Sequence, residues 1–81
     1  MNQHFHVLRV RYHGHTNTLP SRISIQSDRF EQRIVFEYAD DAGPTLDQAE
    51  AKLRALGFDV VGHGEGPVWD YVVCSTFQPL K

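Results

Sequence analysis

Four arginines in the first half of the chain alternate with apolar residues: Arg9, Arg11, Arg22 and Arg33. Successive side chains of a β-strand point to opposite faces, so arginines that alternate with Leu8, Val10 or Ile23 lie opposite those residues. Arginine pairs with carboxylates and phosphates and stacks on aromatic rings. The four side chains are therefore predicted to form one binding face on the solvated side of a β-sheet.

The charge of the chain limits what this arginine face binds. Residues 1–38 carry a net charge of +2 and residues 39–81 a net charge of −4, which together give −2. Phe5 shares the arginine face and can stack on a base, as in sheet-type binders of single strands. Net acidity opposes phosphate affinity, however, and Glu31 and Glu37 interrupt the arginines. A protein partner is the preferred interpretation, and a single-stranded nucleic acid is the alternative.

A loop without periodicity, residues 13–20, supplies four more candidate binding residues: His13, His15, Thr16 and Asn17. The segment is longer than a usual hairpin turn, and long ordered loops often carry function. Side chains of Thr16, Asn17 and Thr18 are expected to bond back to the backbone and stiffen the tip. Two interpretations stay open: the loop contributes to binding, or it only sets the register of the strands.

The histidines are weighed as metal ligands, because His4 and His6, like His13 and His15, are two residues apart. Such a pair on a strand projects to one side and can supply two imidazoles to zinc. No cysteine pair accompanies them, and the acidic residues are not at ligand spacing. We therefore expect surface histidines and no metal site.

Two further patterns bear on catalysis. Cys74 lies among valines, where a buried thiol is the usual case, and no residue pattern marks an oxyanion hole or an orienting acid. The glycine-rich segment 62–67, GHGEGP, precedes a strand, whereas phosphate-binding loops precede a helix. We expect a flexible hairpin loop there, and a protein that is neither an enzyme nor dependent on a cofactor.

The segment from Thr45 to Phe58 is the one clear helix prediction. Thr45 and Gln48 fit a capping box, and Gly57 fits a left-handed helix end onto which Phe58 folds back. The apolar stripe expected to face the sheet has spacings of three and four residues and consists of Leu46, Ala49, Leu53 and Leu56.

The rest of the chain is predicted to form five strands, at residues 4–12, 21–26, 30–38, 58–61 and 68–77. In the last strand, the residues expected to face inward are Trp69, Tyr71, Val73 and Phe77. The order β-β-β-α-β-β predicts an α+β fold, with one antiparallel sheet and one helix packed on a single face. Among several arrangements, the strand order 3-2-1-5-4 satisfies the connections and pairs the last strand with the first.

Two strings resemble small uncharacterised proteins encoded by phages and prophages. The first, YHGHTNTLPSRI, runs from Tyr12 to Ile23 and contains a Tyr-x-Gly-x-Thr-Asn turn followed by Ser-Arg-Ile; the second is YVVCSTFQPL near the end of the chain. The resemblance implies a phage context and no catalytic residues. It favours a small binding protein, inhibitors of host defence included.

Length and composition agree with a single domain, 1–81. No apolar run approaches the ~18 residues of a membrane span, the N-terminal residues lack a signal-peptide pattern, and a lone cysteine forms no internal disulfide. We expect a cytoplasmic protein with no membrane partner. The sequence as a whole favours a non-enzymatic binding module of phage type that engages a host or phage macromolecule.

Overall fold

A computed structural model describes residues 5–76 and 78–80. The elements follow in the order β1 (His6–His13), β2 (Arg22–Ser27), β3 (Gln32–Glu37), α1 (Thr45–Ala55), β4 (Val60–Glu65) and β5 (Asp70–Cys74). All strand pairs are antiparallel, in the order β3-β2-β1-β5-β4. The predicted α+β fold and its strand order are therefore confirmed. The helix found among the described residues could not cross a membrane.

The core lies between α1 and one face of the sheet. Its buried apolar residues come from both layers: Leu8, Val10, Ile23, Ile25, Leu46, Ala49, Leu53, Phe58, Val72, Cys74 and Leu80. Burying one Leu or Ile side chain contributes about 1.5–3 kcal/mol, so this contact holds an eleven-residue helix that would be marginal alone. Leu8, Val10 and Ile23, which the alternation places opposite the arginines, all lie in this core.

The start of α1 differs from the predicted capping box. Pro44, with φ −63° and ψ 161°, is the N-cap residue, and no side chain caps the helix there. Thr45 is already helical, so its hydroxyl cannot take the capping position. Gln48 instead reaches back to the linker, where its amide accepts from Ala39 N–H at 2.9 Å and donates to the carbonyls of Ala39 and Gly43 at 2.8 and 2.9 Å.

The end of α1 follows the predicted glycine stop, three residues earlier than the predicted helix limit. Gly57 has φ +95°, and the Phe58 N–H donates to the Leu53 carbonyl at 2.9 Å. The helix ends at Ala55, so Leu56 lies in the cap and is 38% exposed. The prediction that Leu56 completes the buried stripe is wrong, because Phe58 fills that part of the core after the chain turns.

The glycine-rich segment is a strand and not the predicted hairpin loop. β4 runs through Gly62, His63, Gly64 and Glu65, with a register shift between Val60 and Gly62. Its glycines can occupy a strand because it is an edge, where Gly62 and Gly64 lie opposite Val73 and Tyr71 of β5. The hairpin turn comes later, at residues 66–69.

The prediction of which residues of the last strand face the core is also wrong. Val72 and Cys74 are fully buried under α1, whereas Trp69, Tyr71 and Val73 lie on the other side of the sheet and are half-buried. Aromatic content favoured the incorrect assignment, but the core space beside Leu8 and Ile25 accepts the smaller Val72 and Cys74. Phe77, like His4 of the first predicted strand, lies outside the described residues.

Turns and strand limits differ less from prediction. The turn after β2 covers residues 28–31, whereas the predicted strands leave residues 27–29 between them, and Glu31 has φ +52°. His13 belongs to β1, so the following loop covers residues 14–21. β3 begins at Gln32 instead of Phe30.

Candidate functional site

The sheet face opposite α1 has no helix over it within the described part of the chain. We call this surface the open face; it consists of Val7, Arg9, Arg11, Arg22, Ser24, Gln26, Arg33, Val35, Glu37, Trp69, Tyr71 and Val73. The strand register places these side chains in rows across the sheet. In one row, Arg9 lies between Gln26 of β2 and Tyr71 of β5, and Arg33 of β3 lies on the other side of Gln26. All four arginines proposed from the sequence are thus placed on one face.

Trp69 joins two of these arginines at the centre of the open face. The guanidinium carbon of Arg9 lies 4.6 Å from the centre of a Trp69 ring, and that of Arg11 lies 5.5 Å away. Cation–π contacts of this kind contribute about 0.5–1 kcal/mol at exposed sites. The contact orients both side chains, so the centre of the face is held in place before any partner arrives.

Arg9 is only partly satisfied by its neighbours. Its Nη2 forms an ion pair with Asp28 Oδ1 at 2.7 Å, and the two side chains are 29% and 63% exposed. Its Nε is buried and has no hydrogen-bond partner among the described residues. A donor left without an acceptor in a folded protein costs free energy and calls for an explanation, such as a ligand or water that completes it.

The other two arginines extend the face toward β3. Arg22 lies across from Glu37 in the register of β2 and β3, and its Nη1 donates to the Pro20 carbonyl at 3.5 Å. Arg33 lines a shallow polar depression of about 480 Å³ with Gln26, Asp28, Glu31 and Gln32. The carboxylates Asp28, Glu31 and Glu37 leave the face positive but not uniformly so.

Exposed apolar side chains complete the open face. Val7 is 47% exposed and Val35 is 50% exposed, and both point away from the core. Phe5, just before β1, is exposed as well, with the parity of Val7. A surface that combines arginine, tryptophan, tyrosine and apolar aliphatic groups has the composition of the central part of protein–protein interfaces.

The loop after β1 is braced by Thr16. Its N–H donates to the Leu19 carbonyl at 2.8 Å, and its Oγ1 accepts from the Leu19 N–H at 3.1 Å and from the Thr18 N–H at 3.4 Å. This is the back-bonded tip expected from the sequence, although the bonds centre on Thr16 alone. His15 and Asn17 are exposed beside it.

His13 connects the loop to the open face. Its Nε2 hydrogen bonds to Ser24 Oγ at 2.9 Å, across the β1–β2 pair. Burial lowers the pKa of His13, and the positive charges of Arg22, Arg33 and Arg11 lower it further. Above its ordinary pKa of 6.5 the ring is therefore neutral, and the positive charge of the face comes from arginine.

His6 and Ser27 form a buried pair that resembles a catalytic dyad only in its distance. His6 Nε2 lies 2.6 Å from Ser27 Oγ, and His6 Nδ1 lies 3.2 Å from the Thr76 carbonyl. Since a carbonyl only accepts, Nδ1 carries the proton and Nε2 accepts from the Ser27 hydroxyl. Both residues are buried. In a catalytic triad an acidic side chain orients the histidine, and here the Thr76 carbonyl occupies that position. The pair lies beside the core, where β1 begins and β2 ends.

Cys74 and the remaining histidine lie on the helix side. Burial, with Asp59 and Glu50 as smaller causes, raises the pKa of the Cys74 thiol to about 11, so it stays protonated at neutral pH. His63 Nδ1 lies 2.8 Å from Glu50 Oε1 on α1. Across residues 5–76 and 78–80, no three His, Cys, Asp or Glu side chains are grouped closely enough to hold a metal ion.

Reasoning from the sequence missed Trp69 and Tyr71, the two aromatic residues of the open face. A signal for them exists in Gly66, in the turn just before Trp69. A Cβ at Gly66 would lie 3.0 Å from Tyr71 Cε2 and 2.6 Å from the Trp69 carbonyl oxygen, so the turn packs closely against both residues. The glycines of β4 give no such signal, because a Cβ at Gly62 or Gly64 would meet no atom within 4 Å.

Comparisons of this chain with protein-family models, with curated proteins and with solved structures found no match.

Proposed function

We propose that this protein is a non-enzymatic binding module that engages a protein partner through the open face, with the loop at residues 14–21 at its border. The observation that carries the proposal is the Arg9–Trp69–Arg11 arrangement on a sheet face that no other described residues cover as a second layer. Tryptophan, tyrosine and arginine are the residues that most often dominate binding energy in interfaces. Here they meet at the centre of one surface, next to exposed valines.

The charge of the open face indicates which partner surface fits it. Four arginines stand against three carboxylates, Asp28, Glu31 and Glu37, so an acidic surface with apolar groups is complementary. The exposed guanidinium of Arg11 supplies donors for such carboxylates. Val7 and Val35 supply apolar contact area on either side.

The biological setting in this proposal comes from the resemblance to phage-encoded proteins. We expect the partner to be a host or phage protein, and inhibition of a host defence protein is one such role. A cytoplasmic location is part of the same proposal. The neutral, buried thiol of Cys74 is compatible with a reducing compartment.

The arrangement of Trp69 beside two arginines also supports the alternative, a single-stranded nucleic acid. Bases stack on aromatic and guanidinium planes, and open antiparallel sheets serve as platforms for this in single-strand binders. Against this alternative, Asp28 and Glu37 lie beside the arginines and would repel phosphates. The two functions differ sharply in their dependence on salt.

The testing experiment is affinity capture with the whole chain from a bacterial lysate, repeated with three variants. Arg11→Ala and Trp69→Ala should each weaken binding of the captured protein by at least about tenfold, as for interface anchors. Arg54→Ala is the matched control, because Arg54 is an exposed arginine on α1. Circular dichroism melts establish that each variant is folded.

The outcomes separate the two functions. A captured protein that the Arg54 variant retains and the two open-face variants lose supports the proposal. Affinity for a labelled single-stranded oligonucleotide that falls with a slope of about −0.7 per phosphate contact in log salt supports the alternative. Equal binding by all variants rules out the open face as the binding surface.

A further inference from the structure

The free edge of β3 differs from the free edge of β4. β4 has a register shift between Val60 and Gly62 and contains two glycines, features that disfavour pairing with another strand. β3, Gln32–Glu37, pairs with β2 in a continuous register and contains no proline, glycine or lysine. Edge strands without such features are ready to pair with a further strand.

Hydrogen bonding shows which backbone groups of β3 point to the free edge. The Tyr38 N–H donates to the Ser21 carbonyl at 3.0 Å, so the backbone N–H and C=O groups of Tyr38 point toward β2. These groups point to alternate sides of an antiparallel strand from one residue to the next, so the backbone groups of Phe36 and Ile34 also point toward β2. The N–H and C=O groups of Arg33, Val35 and Glu37 therefore point away from the sheet.

These three residues are complementary to their own copies. In an antiparallel pair with a two-fold axis at Val35, Val35 lies opposite Val35 of the second copy. Arg33 then lies opposite Glu37 of the second copy, and Glu37 opposite its Arg33. Every outward backbone group of the three residues finds a partner, and two opposite charges meet at each end. Shifting the register by two residues loses both charge pairs.

The other side of the same pair is apolar. In this register Ile34 lies beside Phe36 of the second copy, and both residues are only half-buried in the single chain. Close cross-strand pairs of this kind stabilise sheets. The core of one copy would continue into the core of the other.

From these features we infer that the protein forms a two-fold dimer by antiparallel pairing of β3 with β3 of a second copy. The two sheets join into one continuous sheet with both helices on one side and both open faces on the other. Pairing by one short strand buries less area than a standard interface, so the dimer dissociates on dilution. This inference does not depend on the partner of the open face.

Charge exchange between two variants tests the register. Arg33→Glu alone places two carboxylates opposite each other at both ends of the strand pair, and Glu37→Arg alone places two guanidinium groups opposite each other there. Each variant should therefore be monomeric. In an equimolar mixture, the two acidic positions of one chain meet the two basic positions of the other, and a heterodimer should form.

Sedimentation velocity over about 1 µM to about 1 mM gives the readout, since weak association falls in that range. The wild type should shift from the 9.3 kDa monomer toward twice that mass as concentration rises. Each variant should stay at the monomer mass, and their mixture should recover the dimer. A wild type that remains monomeric, a single variant that dimerises like the wild type, or a mixture that stays monomeric would overturn the inference.

Hydrogen exchange of the wild type provides a measurement that needs no variant. Because the Val35 amide points to the free edge, it should exchange rapidly in dilute protein and at least about tenfold more slowly once the dimer is populated. The Phe36 amide, which faces β2, serves as the internal control and should change little. Rapid exchange at Val35 at every concentration would also overturn the inference.

Discussion

Replacing Gln48 tests how the linker is fixed between β3 and α1. In Gln48→Ala the Ala39 N–H and the carbonyls of Ala39 and Gly43 lose three hydrogen bonds. Each such bond contributes a net ~0.5–1.5 kcal/mol, which sets an upper range of about 1.5–4.5 kcal/mol. Ala39 and Gly43 are exposed, so water replaces part of the loss. We expect the free energy of unfolding to fall by about 2 kcal/mol.

The assay is urea unfolding followed by circular dichroism, with Gln78→Ala as the control. The Gln78 amide makes one exposed hydrogen bond, to the Leu56 carbonyl at 3.0 Å, and its loss should cost under about 1 kcal/mol. Gln48→Glu separates donors from the acceptor, because a carboxylate accepts from Ala39 N–H but repels the two carbonyl oxygens. The free energy of unfolding of Gln48→Glu should lie below that of the wild type, and this difference should shrink in acid, where the protonated carboxyl group becomes a donor. A Gln48→Ala loss no larger than the control's would refute the reasoning.

The remaining predictions concern the core. Leu53 is fully buried, so Leu53→Ala should cost roughly 2–5 kcal/mol in urea unfolding, whereas Leu56→Ala at the exposed cap should cost under about 1 kcal/mol; equal losses would contradict the packing of α1. Burial lowers the pKa of His6 from its ordinary 6.5, and the charge of Arg29 lowers it further, whereas the hydrogen bond to Thr76 raises it. Because burial is the largest cause, the folded protein favours the neutral ring. Stability from His6 is then complete above pH 6.5 and is lost as the pH falls below it. Unfolding midpoints from about pH 7.5 to about pH 5 should show this loss of stability, and the loss should be smaller in His6→Gln. His13, whose pKa is also lowered, accounts for what remains in the His6 variant.

The first three strands could be predicted because each alternates clearly between apolar and polar residues. Ile23 and Ile25 of β2 have polar neighbours on both sides, and one register buries both. With three hairpin-linked strands and one helix, few antiparallel arrangements return the last strand to the first. The observed sheet order is one of the several arrangements that these connections allow.

The second half was harder because its local signals conflict. Glycines at alternate positions of β4 resemble a loop in composition, and only pairing with β5 makes them a strand. Trp69 and Tyr71 are the largest aromatic residues near β5, yet the core space was already filled by Leu8, Ile25 and Leu53. Their place on the open face depends on that tertiary competition, which local sequence does not record.

Gln48 illustrates a third kind of difference. Its spacing from Thr45 matches a capping box, but Pro44 takes the N-cap position and shifts the helix start by one residue. The amide then finds its partners nine residues upstream, at Ala39. Spacing within a helix cannot reveal contacts to a linker whose path is set by the fold.

An NMR titration of the isotope-labelled protein with its captured partner tests the central claim most directly. If the open face binds, the backbone signals of Arg9, Arg11 and Tyr71 and the indole N–H of Trp69 should shift or broaden. Signals of Lys52 and Arg54, exposed on α1, should stay in place. Changes confined to α1, with the signals of the open face unmoved, would contradict the account.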